Sequence, residues 1–365
     1  MSPGEARGGA GEGPAFRSGL VTIVGRPNVG KSTLLNRLVG RKVAIMSDKP
    51  QTTRNRIVGV VNRERAQIVF IDTPGIHRPR HRLGEYMVGV ALAALEEVEA
   101  ILFMVEAPEP PGPGDRYVAE RLAAVKTTPV ILVANKADLC RGEVTRANLE
   151  AYRELGEFAE ATAISATRDQ SFELLLRIIE AHLPEGPRYY PEGMVTDQPE
   201  AFVVAELVRE KILELTRDEV PHSVAVAVEE MRAGAAERPG AAERPVAAER
   251  AGAAVETVGA AVETGGAAVE TGGAAGGPAV EEEAAPARSD LLYIRAVIYV
   301  ERESQKGIIV GAGGRMLRRI GQAARQEIEA LFGNKVYLDL WVRVEKNWRD
   351  RAPVLRALGY ALPGE

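Results

Sequence analysis

The chain has 365 residues, enough for two domains, and its formal net charge of −5 argues against indiscriminate binding of nucleic acid. Its single cysteine, Cys140, excludes an intrachain disulfide and fits a reducing cytosol. No window approaches the length of a membrane span, and residues 1–18 lack a signal-peptide core. We therefore expect a cytoplasmic protein, with peripheral membrane contact left open.

The first predicted strand, residues 20–24, leads into a motif of the form G-x-x-x-x-G-K-S. A segment with helical spacing follows it. A strand, a glycine-rich loop and a helix in this order are typical of a phosphate-binding loop (P-loop), because the loop amides and the helix N-terminus point at one anion. We predict that Lys31 contacts the β- and γ-phosphates and that Ser32 holds Mg²⁺. The predicted nucleotide-binding residues here are Gly25, Arg26, Pro27, Asn28, Val29, Gly30, Lys31, Ser32 and Thr33.

A polar loop, residues 47–54, follows the P-loop helix in the position of a switch segment. In such a loop a threonine commonly closes over Mg²⁺ when the γ-phosphate is present. We expect that residue to be Thr53, with Thr52 as the alternative. Only the position of the loop distinguishes a switch from an ordinary polar connection.

A second apolar run, residues 68–71, ends in a D-x-x-G element. A carboxylate at the end of a strand beside a P-loop is placed to bind Mg²⁺, usually through water, and the glycine amide to contact the γ-phosphate. Ser32, Thr53 and Asp72 are therefore the predicted metal ligands. The element adds four residues to the nucleotide site, namely Asp72, Thr73, Pro74 and Gly75.

The residue after Gly75 is Ile76, where small GTPases often carry a glutamine that orients the attacking water. Water must then be positioned by another route or by a partner. One route is K⁺ bound by Asn28, since an asparagine at this place in G-x-P-N-x-G-K-S loops can ligate that ion; the alternative is that Asn28 only caps the turn. We regard Lys31, Asn28, Thr53 and Gly75 as the catalytic candidates.

Base recognition is predicted at the end of the strand formed by residues 130–134, where Asn135, Lys136 and Asp138 follow. The Asp138 carboxylate can accept hydrogen bonds from both N1–H and the exocyclic amine of guanine, whereas adenine would leave it unpaired. The stem of Lys136 can lie along the base. Ser165 and Ala166 would offer backbone amides to the guanine carbonyl. The order of these elements indicates a GTPase rather than an ATPase.

We expect an α/β P-loop GTPase domain at residues 18–183, with a mostly parallel sheet and one antiparallel hairpin formed by residues 57–61 and 68–71. Residues 1–17 form an extension that we expect to be disordered, and residues 184–199 form a linker. Residues 200–365 then read as an α+β domain. It is interrupted at 232–289 by a net-acidic repeat of Ala, Gly, Glu and Pro, which cannot bury a core and is predicted to be disordered.

Residues 308–321 predict a helical stub, a G-x-x-G loop and a second helix with cationic residues near its start. Such a loop lets the backbone approach single-stranded RNA in KH domains, and the α-β-β-α-α-β order is that of type II. The middle positions of the loop are not basic, so neighbouring cations must supply the phosphate contacts. The predicted RNA-binding residues are Lys306, Gly311, Ala312, Gly313, Gly314, Arg315, Arg318 and Arg319.

Together the two halves resemble the Era family of bacterial GTPases. The resemblance is carried by segments 25–32, 51–54, 72–75, 135–138, 165–166, 209–211, 301–314 and 340–344. It implies a Mg²⁺-dependent enzyme that converts GTP to GDP and phosphate and binds the 3′ end of 16S rRNA through its KH domain in the GTP state, during maturation of the small ribosomal subunit. It also implies peripheral contact with the inner face of the cell membrane, and we expect a monomer.

Two other classes stay open at this point. One is a ribosome- or tRNA-associated P-loop GTPase whose C-terminal domain binds a partner other than rRNA. The other is a nucleotide-sensing module with negligible turnover, which the isoleucine at position 76 would suit.

Overall fold

The computed structural model describes residues 15–168, 171–233 and 291–361. The chain forms two compact units. The first comprises the residues up to Glu206 together with those from Asn347 onward, and the second comprises Leu207–Lys346. Most of the predicted N-terminal extension and of the 232–289 insert lies outside the described residues.

The first unit contains a six-stranded sheet in the order β2-β3-β1-β4-β5-β6. Its only antiparallel pair among the described strands is β2 with β3, so the predicted hairpin in an otherwise parallel sheet is confirmed. The strands are β1 (Arg17–Val24), β2 (Ile57–Asn62), β3 (Ala66–Asp72), β4 (Ala100–Glu106), β5 (Val130–Asn135) and β6 (Glu160–Ala163).

Helices cover both faces of this sheet, which is why its central strands are apolar throughout. In β4, for example, Leu102 and Met104 belong to one core cluster and Phe103 and Val105 to the other, all fully buried. The helices are α1 (Lys31–Val39), α2 (Arg82–Ala93), α3 (Pro113–Leu122), α4 (Gly142–Arg153) and α5 (Phe172–His182). The carboxyl ends of the parallel strands thus bring the predicted motifs to one edge, as expected for this architecture.

The segment predicted as a linker, residues 184–199, runs along β2 and β3. Val60 N donates to Val195 O at 2.9 Å. The buried side chain of Gln67 accepts from the amides of Tyr189 and Tyr190 at 2.7 and 2.9 Å. The linker is therefore held by specific hydrogen bonds to the sheet of the first unit.

The second unit has the element order α-β-β-α-α-β, which confirms the predicted type II KH arrangement. Its strands form a sheet in the order β7-β8-β9, antiparallel between β7 and β8 and parallel between β8 and β9. Ala233 pairs with Leu292, so the two ends of the insert are neighbours. The elements are α6 (Glu200–Leu215, whose first turns belong to the first unit), β7 (Ala225–Ala233), β8 (Leu291–Val300), α7 (Glu303–Val310), α8 (Arg315–Phe332) and β9 (Lys335–Val344).

The end of the chain departs from the expected domain boundary. A 3₁₀ turn at Trp348–Asp350 and the helix α9 (Ala352–Ala357) pack with the first unit, although the sequence suggested that they complete the second. The reason is the burial of Trp348 and Tyr360 against aromatic and cationic side chains of the first unit. Among the described residues, no helix is both long and apolar enough to cross a membrane.

Candidate nucleotide and RNA sites

The loop between β1 and α1 lies so close to neighbouring segments that only glycine fits at the points of contact. Gly30 has φ +103°, and a Cβ there would lie 2.3 Å from Asn135 Nδ2. A Cβ on Gly75 would lie 2.7 Å from Pro27 N. The loop is thus packed directly against the D-x-x-G and base-recognition elements. Together with residues from the 45–53 segment they line a cavity of about 400 Å³, which is of a size suited to a nucleotide.

The three predicted metal ligands converge. Ser32 Oγ donates to Asp72 Oδ2 at 2.6 Å and lies 2.8 Å from Thr53 Oγ1. Asp72 is fully buried, and no described group donates to its Oδ1 atom. A buried carboxylate oxygen left without a partner beside two hydroxyls is an arrangement that a hard divalent cation would complete. These residues therefore fit Mg²⁺.

The charges at the phosphate end are strongly perturbed by burial. Burial lowers the pKa of Lys31 to about 8, against the opposing effect of Asp72. Burial likewise raises the pKa of Asp72 to about 6, against the opposing effect of Lys31. Lys31 Nζ donates to the loop carbonyls of Gly25 and Arg26 at 3.3 and 3.2 Å. The ammonium is thus held over the loop, where the phosphates of a nucleotide would lie.

The structure separates the two candidate threonines of the switch segment. Thr53 is buried and adjoins Ser32 and Asp72, whereas Thr52 Oγ1 donates to Lys49 O at 2.6 Å within its own loop. This geometry favours Thr53 as the residue that approaches the metal.

If Thr53 is the residue that approaches the metal when the γ-phosphate is present, Thr53→Ala is expected to lower the affinity for a GTP analogue in Mg²⁺ about tenfold and to leave the affinity for GDP unchanged. Thr52→Ala is the matched control and should match the parent with both nucleotides. Titration with fluorescent nucleotide measures both. Equal losses in the two variants would contradict the assignment of Thr53.

Ile76 is fully buried in one of the two core clusters, and its amide donates to Gly25 O at 3.1 Å. Its side chain therefore faces away from the phosphates as well as lacking a polar group. Two polar side chains lie close by: His77 Nδ1 is 2.8 Å from Gly75 O, and its Nε2 is 3.3 Å from Gln51 Nε2. We predicted no role for Gln51 from the sequence, because nothing in the sequence indicates that its side chain lies beside His77.

At the base-recognition end, the side chain of Asn135 connects the P-loop to the segment that contains Ala166. Its Nδ2 donates to Val29 O at 2.8 Å and its Oδ1 accepts from Ala166 N at 2.9 Å. Asp138 accepts from Ser165 Oγ at 2.7 Å and pairs with Arg168 at 3.3 Å. Asp138 is thus already contacted by a hydroxyl and a guanidinium, and its carboxylate oxygens have further lone pairs for the donors of a guanine base.

One residue that joins the two ends of the site was missed by sequence analysis. Glu106, at the carboxyl end of β4, forms an ion pair with Arg26 of the P-loop at 2.7 Å and another with Lys136 of the base-recognition element. Arg26 is also paired with Asp115 at 3.2 Å. Glu106 therefore connects the phosphate end of the site with the base end. A glutamate after an apolar strand carries no motif of its own, so only the fold reveals it.

Glu106→Gln is expected to lower the affinities for GTP and GDP alike, by about tenfold, because Lys136 loses the charge that positions it whichever phosphate is bound. Glu109→Gln is a matched control, since the exposed Glu109 pairs with Arg26 at 2.8 Å and has no contact with Lys136. Its affinities should stay within about twofold of the parent. Isothermal titration with each nucleotide tests this, and a loss confined to GTP would contradict it.

In the second unit the G-x-x-G loop links α7 and α8 through one 3₁₀ turn, Ala312–Gly314. Gly311, Gly313 and Gly314 all have positive φ, of 69°, 60° and 75°. A Cβ on Gly311 would lie 2.7 Å from Met316 Cβ, whereas Gly313 has nothing within 4 Å. The tip of the loop is therefore open to a ligand backbone.

The predicted cations surround this loop. Arg315, Arg318 and Arg319 are exposed and Lys306 is half-buried. Arg315 and Arg318 donate to the loop carbonyls of Ala312 and Gly313 at 3.2 and 2.6 Å. Within the described part of the chain, none of the four pairs with a carboxylate, so their charge is available to an anionic ligand.

Fold and site together define a P-loop GTPase joined to a type II KH domain. A family model described as "50S ribosome-binding GTPase" matches residues 20–136, and a KH-domain model matches 279–349. Two crystal structures of Era each match with 38% identity and a TM-score of 0.78, covering 95% of this chain and 100% of theirs. One is Era with MgGDPNP and nucleotides 1506–1542 of 16S ribosomal RNA; the other is a point variant of Aquifex aeolicus Era with GDP·AlF4⁻. The chain belongs to the Era family of GTPases.

Proposed function

We propose that this chain is a GTPase that binds the 3′ end of 16S rRNA through its KH domain in the GTP state and acts in maturation of the small ribosomal subunit. The observation that carries the proposal is an open G-x-x-G loop with unpaired cations in the same chain as a guanine-specific site. The Era complex with MgGDPNP and 16S rRNA nucleotides supports it, since that structure matches 95% of this chain. The model named for the large subunit matches only the GTPase domain, and such domains occur in proteins of different function.

Each group of site residues has a role in this proposal. Lys31 and the loop amides bind the phosphates, Asp138 recognises the base, and Ser32, Thr53 and Asp72 hold Mg²⁺. Bound Mg²⁺ would neutralise charge on the phosphate oxygens during hydrolysis. In the second unit the glycines admit the sugar–phosphate backbone, and Arg315, Arg318, Arg319 and Lys306 contact phosphates.

The test is binding of a labelled oligonucleotide with the 3′-terminal sequence of small-subunit rRNA, with a scrambled RNA as control. Each is titrated with GTP analogue and then with GDP at one fixed salt concentration, since phosphate contacts make affinity salt-dependent. We expect selective binding in the GTP state. Equal, weak binding of both RNAs in both states would instead leave a GTPase whose C-terminal domain binds another partner.

We further propose that K⁺ binds beside the phosphates at Asn28. Asn28 Nδ2 donates to Asp48 O at 2.8 Å, which ties the P-loop to the switch segment, and no described group donates to its Oδ1. A free amide oxygen at this place suits a monovalent cation, which would offset developing negative charge.

Hydrolysis is accordingly expected to be faster in K⁺ than in Na⁺ by about tenfold, and Asn28→Ala is expected to lose that difference. The measurement is phosphate release at constant ionic strength with each salt. If parent and variant hydrolyse GTP equally in both salts, Asn28 only caps the turn.

We also propose a monomeric protein of the cytoplasm, with peripheral contact to the inner face of the cell membrane as an alternative location. A single cysteine supports the reducing compartment. Light scattering after gel filtration tests the monomer. Cell fractionation with a salt wash distinguishes the two locations.

A further inference from the structure

The last described residues of the chain lie against the nucleotide switches. β9 ends at Val344, and the chain enters the first unit at Asn347. We refer to residues 347–361 as the C-terminal clamp. Trp348 in it is fully buried, and Tyr360 is only 6% exposed. The rings of these two residues stack with their centroids 6.2 Å apart.

The clamp encloses Arg54, the residue that follows the metal-proximal Thr53. Arg54 is 1% exposed. Its guanidinium carbon lies 5.7 Å from the centroid of the Trp348 ring, and Nη1 is 3.5 Å from the Tyr360 hydroxyl. A desolvated guanidinium over an indole face is a strong form of cation–π contact. The side chain that follows Thr53 is therefore held by the C-terminal clamp.

The same clamp contacts α2, which begins after the D-x-x-G element. Tyr86 packs edge-on to Tyr360, with centroids 5.7 Å apart, and its hydroxyl donates to Asn55 Oδ1 at 2.6 Å. Asp350 Oδ1 accepts from Arg82 N, the first residue of α2, at 3.1 Å. The clamp thus joins the residues that follow Thr53 to those that follow Gly75.

We propose that Arg54 is a positioning residue for Thr53, held in place by Trp348 and Tyr360, so that the C-terminal clamp is part of the GTPase switch. When Thr53 moves to or from the metal, Arg54 moves with it and changes its contact with the clamp. Since only residues 345–346 separate β9 from the clamp, the proposal includes transmission of this movement along the chain to the RNA-binding domain. This last step rests on the proposed function, and the positioning role does not.

The experiment compares Arg54→Met with Arg54→Lys in the full chain. The methionine keeps an apolar stem and loses the charge, whereas the lysine keeps a cation over the ring. For Arg54→Met we expect affinity for a GTP analogue in Mg²⁺ about tenfold lower, kcat lower by a similar factor, and GDP affinity within about twofold of the parent. Arg54→Lys should recover most of both losses.

Trp348→Phe keeps the buried ring with a weaker cation–π face and should fall between the parent and Arg54→Met. Trp341→Ala, an exposed tryptophan of β9, is the control and should match the parent in nucleotide binding and kcat. Parent-like values of kcat and of both affinities in Arg54→Met would overturn the proposal. Equal losses of affinity for GTP analogue and for GDP in Arg54→Met would also overturn it, because equal losses indicate general damage to the fold.

A second arm measures RNA affinity in both nucleotide states. If the parent binds RNA more tightly with GTP analogue, Arg54→Met and Trp348→Phe should reduce that difference and leave the GDP-state affinity unchanged. An undiminished difference in both variants would refute transmission through the clamp. If the parent shows no RNA binding, the proposed function fails, while the nucleotide arm still decides the positioning role.

Discussion

Asp138→Asn is expected to lower the affinity for GTP by about 100-fold or more and to create affinity for xanthosine triphosphate. If Asp138 recognises the base, guanine would present two donors, N1–H and the exocyclic amine, to the two oxygens of the carboxylate. Asparagine replaces one of those acceptors with a donor, so one hydrogen bond becomes a contact between two donors. Xanthine carries a carbonyl in place of the amine and would match the amide. Competition against a fluorescent guanine nucleotide measures both affinities.

The control for this substitution is Ser165→Ala. Ser165 Oγ donates to Asp138 Oδ1 at 2.7 Å, so its loss removes an orienting contact and leaves both acceptors in place. We expect less than about tenfold weaker GTP binding and no gain for xanthosine triphosphate. If Asp138→Asn still preferred GTP by the parent's margin, the base would not be read by Asp138.

Gly313→Asp is expected to weaken RNA binding by about 100-fold while GTP binding stays at the parent's level. A carboxylate about 4 Å from a phosphate is repelled by about 4 kcal/mol near a protein surface, before screening by salt. The loop itself should survive, since no atom lies within 4 Å of the added Cβ and φ is +60°, a value that Asp tolerates better than most residues.

Gly313→Asn provides a matched comparison, because it has nearly the same shape and the same tolerance of positive φ without the charge. It should bind RNA within about tenfold of the parent. The two variants are compared by fluorescence anisotropy with one labelled RNA at one salt concentration. Equal losses in both would show that the backbone conformation of Gly313, rather than charge at the loop tip, controls binding.

The features that were predicted correctly are those that depend on residues close together in the sequence. The P-loop, the D-x-x-G element and the G-x-x-G loop each need particular residues at fixed spacing, so a single sequence reveals them. The hairpin predicted at residues 57–61 and 68–71 is observed as β2 (Ile57–Asn62) and β3 (Ala66–Asp72), because β-branched apolar residues dominate both runs.

The parts that escaped prediction depend on contacts between distant segments. Glu106 joins Arg26 and Lys136, which lie far from it in the chain, and nothing in the sequence indicates that pairing. Arg168 beside Asp138 is a similar case. The assignment of residues 347–361 followed from chain order, since they come directly after the last strand of the KH domain. The packing of Trp348 and Tyr360 against Arg54 instead places these residues in the first unit.

The C-terminal clamp also has a consequence for synthesis of the protein. Chains emerge from the ribosome with the N-terminal residues first, and domains generally fold in that order. The first unit is discontinuous, so the P-loop, the sheet and Arg54 are made long before Trp348 and Tyr360. A growing chain can therefore acquire its nucleotide pocket early but can enclose Arg54 only after the whole second unit has been translated. The switch becomes complete only in a finished molecule.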